Sequence, residues 1–297
     1  MRVFVTGATG FIGSAVVADL IAAGHKVLGL TRSEGGASAL AAAGAEAWRG
    51  SLEDPEGLKR GAAQSDGVIH TAFNHDFSTY VANCEADRAV IEALGSVLAG
   101  SERPLIVTSG TGMGAASGSL VTEEDPPARA ADVPRAASEE AAALVGAQGV
   151  NVSVMRLPQI HDTERQGLVS YAIEAAREKG VSAYVGDGRN RWPAAHLLDT
   201  ARLYRLALEK AEPGARYHAV AEEGVPMRDI AEVIARRLRV PAVSIAPEEA
   251  SAHFGWLAMF AGLDVPASSL QTRSRLGWNP TGPGLIADLE RLGDGAG

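Results

Sequence analysis

Cysteine occurs once, at position 84. One thiol excludes an intrachain disulfide and a cysteine zinc cluster, and within a helical pattern it reads as a small buried hydrophobe. No run of 18 apolar residues is present, so no membrane-spanning helix is expected. No basic block offsets the net charge of −9, which disfavours binding to nucleic acid through its phosphates. The opening MRVFVTGATGFIG lacks the basic-then-apolar order of a secretory signal, and a cytoplasmic protein is expected. Aromatic residues are scarce, at 5%, so no large aromatic cage is expected. Glycine is in excess, at 34 of 297 residues against an average of roughly 7%. It falls in short loops with no three-residue period, which excludes a collagen-like chain.

What is present is an alternation. Short apolar runs at 3–6, 26–30, 46–49, 67–70, 105–109 and 152–156 read as buried parallel strands. Helical patterns lie between them, near 11–23, 36–43, 55–62, 77–99 and 136–148. Strands alternating with helices of this length predict βαβ units and an α/β fold: a Rossmann-type doubly wound parallel sheet. Residues 110–134, rich in glycine and proline, break the pattern just past a strand's carboxyl end. Open α/β sheets bind ligands there, and the loop reads as a mobile lid. Beyond residue 158 the alternation becomes irregular. The expected division is a dinucleotide-binding part at 1–157 and a smaller, mainly helical substrate lobe at 158–297, some of whose segments return to the first part. Strands are expected in the lobe near 182–185, 217–220 and 243–245.

The first strand runs into Gly7-Ala8-Thr9-Gly10-Phe11-Ile12-Gly13 and then an apolar helix. Gly7 permits the tight turn, Gly10 lets backbone approach a pyrophosphate, and Gly13 allows close helix–strand packing. The helix N-terminus then faces the phosphates. An NAD site usually carries an acid after the second strand, accepting from the ribose 2′-hydroxyl. Here Thr31-Arg32-Ser33 follows instead. Arg32 can grip a 2′-phosphate bidentately, so NADP(H) is the expected cofactor, although Glu34 could oppose the phosphate. Ser51 and Leu52 follow the third strand, where adenine would lie. Thr71, Ala72 and Phe73 follow the fourth, and Thr108 ends the fifth.

With these residues in place, the chain resembles an extended short-chain dehydrogenase/reductase, of the epimerase/dehydratase type. TGATGFIG, VIHTAF and IVTSGTGMG match the family's first, fourth and fifth strand ends, the last carrying the catalytic serine at Ser109. MRLPQIH resembles the Arg-Pro segment that places Pro158 near the nicotinamide. WPAAHLLDTARLY resembles the His-x-x-Asp segment, at His196 and Asp199. SRLGWNP resembles the Leu-Gly-Trp-x-Pro closure, at Leu276, Gly277, Trp278 and Pro280.

The departure is in the catalytic helix. The family's Tyr-x-x-x-Lys pair falls here on Arg135 and Glu139, and no Tyr or Lys occurs from Val81 to Ala142. The resemblance therefore implies an atypical member. A guanidinium cannot give up a proton as the tyrosine does, but it can stabilise a developing oxyanion. Glu139 can accept from the nicotinamide ribose diol, or the two can form a surface i,i+4 ion pair. Another acid is then needed. His161, just after Pro158, has an ordinary pKa suited to the task; His75 and Asp76, in the loop after the fourth strand, also face the expected cleft, and Tyr171 is a weaker choice. The leading expectation is an NADP(H)-dependent oxidoreductase reducing a small carbonyl or related C=X substrate, with catalytic residues Ser109, Arg135 and His161. The alternative is a degenerate NADP(H)-binding sensor or regulatory protein. No metal is expected. The partners expected are a small-molecule substrate and, if the chain is not monomeric, a second copy in a homodimer; neither nucleic acid nor membrane is expected.

Overall fold

The computed structural model describes residues 1–112 and 117–292. Its strands are β1 (Arg2–Thr6), β2 (Lys26–Thr31), β3 (Glu46–Arg49), β4 (Gly67–His70), β5 (Pro104–Gly110), β6 (Asn151–Leu157), β7 (Gln159–His161), β8 (Ser182–Val185), β9 (Arg191–His196), β10 (Arg216–His218), β11 (Glu222–Pro226) and β12 (Ala242–Ile245). The helices are α1 (Phe11–Ala22), α2 (Glu34–Ala42), α3 (Pro55–Ala63), α4 (Tyr80–Leu98), α5 (Ala137–Ala147) and α6 (Val169–Lys179). They continue as α7 (Leu197–Lys210), α8 (Met227–Leu238), α9 (Ala250–Phe254), α10 (Ala258–Ala261), α11 (Leu270–Leu276) and α12 (Leu285–Leu289).

Seven parallel strands form the main sheet in the order β10-β6-β5-β4-β1-β2-β3. The order reverses between β1 and β4, which makes their carboxyl ends the switch-point crevice of a doubly wound sheet. Side-chain alternation sends β1 and β5 residues to opposite cores. Val3, Val5 and Ile106 pack with α1 and α7, while Phe4, Leu105 and Val107 pack with α3, α4 and α5. Both faces are covered, so these strands are apolar throughout.

The part beyond residue 158 is less purely helical than its sequence suggests. A three-stranded sheet (β11-β9-β7) and a parallel pair (β12-β8) lie in it. β7, β9 and β11 escape periodicity because they are short or carry Pro193, Gly224 and Pro226, which read as breakers. β10 leaves this part to extend the main sheet beside β6, and α7 packs against α1.

Two of the weaker sequence segments meet. The Asp199 carboxylate accepts from the amides of Thr281 and Gly282 at 2.9 and 2.6 Å, and the Trp278 indole donates to the Asp199 carbonyl at 2.9 Å. Their role here is to clasp the C-terminal segment onto α7. Among the described residues, no helix is long and apolar enough to cross a membrane.

Candidate active site

The glycine turn opens at the switch point. Gly7 has φ +68°, and a Cβ there would stand 2.8 Å from the Ala72 backbone nitrogen. A Cβ on Gly13 would lie 2.0 Å from the Gly7 carbonyl oxygen, so the turn and α1 touch backbone to backbone. Gly10 is the N-cap of α1, and no side chain caps that end. Thr9 and Gly10 are exposed, with Phe11 and Ile12 half-buried behind them. An uncapped 12-residue helix offers amide donors and a positive dipole end, which fits a dinucleotide pyrophosphate.

Arg32 is exposed at the end of β2, and no hydrogen bond or ion pair engages its guanidinium among the described residues. Glu34, which could have opposed a phosphate, turns to Arg49 at 3.2 Å. Ser33 caps α2 through its hydroxyl, 3.0 Å from the Gly36 amide. Ser51 and Leu52 are half-buried past β3. Thr71 donates to the Thr6 carbonyl at 2.8 Å, tying the β4 end to the turn. Pro158 is half-buried between β6 and β7.

Arg135 and Glu139 do not pair with each other. Arg135 donates to the Asp87 carboxylate at 2.9 Å, to the Thr108 carbonyl at 2.9 Å and to the Ser138 hydroxyl, which itself donates to Asp87. Its guanidinium lies 4.2 Å over the Phe73 ring. The other Asp87 oxygen accepts from His70, whose second ring nitrogen is 2.7 Å from the Thr6 hydroxyl. Burial alone would raise the Asp87 carboxyl, but His70, Arg135 and Ser138 outweigh it and hold it down to about 2. A continuous polar chain thus runs from the glycine turn to Arg135. Sequence reasoning missed Asp87 and Ser138; the one available signal was that a half-buried arginine needs a counter-charge.

Three expectations are corrected. Glu139 is not a free acceptor for a ribose: it is buried, and both its oxygens accept from Arg156 at 2.9 and 2.8 Å. Ser109 is also buried and donates its hydroxyl to Glu139 at 2.8 Å. It sits on the same sheet face as Leu105 and Val107, so its alternation aims it at α5. His161 has no exposed surface; its Nδ1 donates to Asp288 at 2.7 Å. Desolvation pulls its imidazole below the ordinary value, against the raising influence of Asp288 and Glu222. Its ring is therefore turned inward to Asp288 and has no surface open to the crevice.

The scarce aromatic residues converge. Phe73, Phe77 and Tyr80 from the β4–α4 connection meet Tyr171 of α6, Trp256 and Phe260. Phe77 and Trp256 stack at 3.8 Å and 9°. The rings pack on one another as a cluster, which composition does not foresee, because it counts rings but cannot place them. Tyr80 stands one residue before the stretch found empty of tyrosine. Burial and the neighbouring Cys84 thiol push its hydroxyl up to about 12, with Arg135 pulling the other way. His75, beside Phe73, is drawn below its usual value by burial and by Arg135.

The family is decided by residues 3–221, which match the model of the NAD dependent epimerase/dehydratase family. The chain belongs to that family. Within it, the chain is 50% identical over 294 residues to an uncharacterized protein of Schizosaccharomyces pombe, covering 97% of this chain and 98% of the other. It is 27% identical over 287 residues to the 4-hydroxy-2-methyl-3-oxo-4-farnesyl-3,4-dihydroquinoline-1-oxide ketoreductase of Stigmatella aurantiaca, covering 91% and 85%. Among solved structures, UDP-glucose 4-epimerase of Thermus thermophilus, in complex with NAD, superposes with a TM-score of 0.74 at 23% identity, covering 98% and 97%. That likeness establishes the shared fold of family members.

Proposed function

We propose that this family member is an NADP(H)-dependent reductase of a small carbonyl compound. The observation that carries the reading is Arg135 held over Phe73 beside Tyr80, at the crevice onto which the glycine turn opens. The ketoreductase relative supports the same chemistry. Arg32 supports the phosphorylated dinucleotide, since its guanidinium is unengaged among the described residues and no acid stands beside it at the strand end.

The bound dihydronicotinamide would supply a hydride to the carbonyl carbon. The remaining work falls to this chain. The glycine turn and α1 bind the pyrophosphate, and Arg32 binds the 2′-phosphate. Asp87, Ser138 and the Thr108 carbonyl fix Arg135, leaving its other N–H bonds to stabilise charge developing on the substrate oxygen. The Tyr80 hydroxyl, raised to about 12, holds its proton at neutral pH and donates it to that oxygen; water returns it. Following NADPH absorbance with a panel of ketones and aldehydes tests this. Tyr80→Phe is expected to lower the rate by roughly two to four orders of magnitude, the range of a positioned acid. An unchanged rate would overturn the role of Tyr80.

A second reading, a dinucleotide-binding protein without turnover, draws on one observation: Arg135 and Glu139 are both neutralised by carboxylate and guanidinium partners. Tight NADP(H) binding with no oxidation across the panel would favour it.

A further inference from the structure

A cleft of about 470 Å³ lies against the amino end of α4. Phe77, Tyr80, Val81, Ala82, Pro134 and Met259 line it, and among the described residues no charged side chain does. Its two other lining residues, Ser78 and Thr79, turn their hydroxyls to Asp76, at 2.5 Å to a carboxylate oxygen and 3.4 Å to the carbonyl. Val81 and Met259 are each more than half exposed, so the chain leaves apolar surface in water here. The volume falls within the range of small-molecule pockets.

The cleft shares Tyr80 with the candidate active site. Pro134 is the residue before Arg135, and the Tyr80 ring meets the Phe73 ring on which Arg135 rests, at 6.4 Å between centroids. Its far wall is stiffened by the Phe77–Trp256 stack. A diphosphate placed here would lose its hydration with no cation to receive it. An uncharged chain or ring loses nothing and releases water from the apolar side chains that line the cleft.

We propose that this cleft is the subsite for the uncharged hydrocarbon portion of the substrate, its carbonyl end directed toward Arg135 and Phe73. Only the placement of the reacting end rests on the reductase reading; occupancy of the cleft does not.

Acetone, 2-heptanone and 2-undecanone, titrated calorimetrically into the full-length chain with and without saturating NADP⁺, test the subsite without turnover. Affinity is expected to rise about fourfold for each methylene buried, with a shift of Trp256 fluorescence that Trp256→Phe removes. Met259→Glu, at an exposed position, is expected to weaken 2-undecanone at least about tenfold and leave NADP⁺ affinity unchanged. No dependence on chain length, or wild-type affinity in Met259→Glu, overturns the proposal. So does a concentration-dependent dimer in analytical ultracentrifugation that Met259→Glu dissociates, because the cleft then belongs to an interface between two copies. Chain-length-dependent binding without NADPH oxidation keeps the subsite and removes the reductase; oxidation without chain-length dependence does the reverse.

Discussion

The proposed cofactor choice rests on one side chain, Arg32, and on what is absent around it. Its expected contact is a charge-assisted pair worth about 1.5–3 kcal/mol. Arg32→Ala is thus expected to weaken NADP⁺ by roughly tenfold to a hundredfold in calorimetry and to leave NAD⁺ unchanged. Equal affinity of the wild type for both cofactors would contradict the assignment. Asp87 makes a stability prediction. Its folded pKa, about 2 against an ordinary value of 3.8, is depressed, so its contribution is present above pH 3.8 and lost as pH falls toward 2. The loss is about 2 kcal/mol. Unfolding free energy in denaturant should fall more steeply between pH 5 and 2 in the wild type than in Asp87→Asn. The Glu139–Arg156 pair is buried, and removing one partner leaves an uncompensated charge costing about 3–5 kcal/mol. Restoring the family pair as Arg135→Tyr with Glu139→Lys is expected to destabilise the protein, because the introduced ammonium would face Arg156 and Asp87 would lose its guanidinium. A gain of both activity and stability in that double variant would show that Arg135 and Glu139 are dispensable replacements.

At the scale of elements, two segments that read as catalytic or mobile in the sequence make fastening contacts in the structure. His161 of β7 meets Asp288 of α12 inside the molecule. His161→Phe is therefore expected to leave the pH profile of the rate unchanged and to lower thermal stability by stranding a buried carboxylate; a lost titration near pH 6–7 with intact stability would restore its catalytic role. The connection from β5 to α5 contains residues 113–116, which lie outside the described residues, but its remainder is tied down. Gly118 donates to the Asp264 carbonyl at 2.8 Å, Val121 to Pro266 at 2.9 Å, and Ala130 to the Glu140 carboxylate at 2.7 Å. Buried Glu123 accepts from the Thr272 amide and hydroxyl, both at 2.7 Å. Hydrogen exchange should show Val121 and Ala130 protected before any ligand is added. Fast exchange there, slowed by NADPH and substrate, would support a lid over this strap.

Across the whole molecule, the parts legible in the sequence are those whose cause is local. Six strands of the main sheet follow from short apolar runs, and the glycine turn from a backbone that tolerates no Cβ. What is illegible depends on distant partners. Asp87 and Arg135 are 48 positions apart, His161 and Asp288 are 127 apart, and only folding reveals that one pair orders the crevice while the other is sealed. Tyr80, the proposed donor, escapes a reading of the sequence because the family's donor is expected after the fifth strand, whereas Tyr80 lies before it, at the amino end of α4. The central claim is that hydride transfer here uses Arg135 to hold the oxygen and Tyr80 to protonate it. Single-turnover absorbance at 340 nm, with NADPH-loaded enzyme mixed with 2-undecanone, measures it most directly. The account predicts oxidation in the wild type and a decrease of roughly two to four orders of magnitude in Tyr80→Phe, with NADPH affinity unchanged. Binding of both ligands with no loss of absorbance, or equal rates in the two proteins, would contradict it.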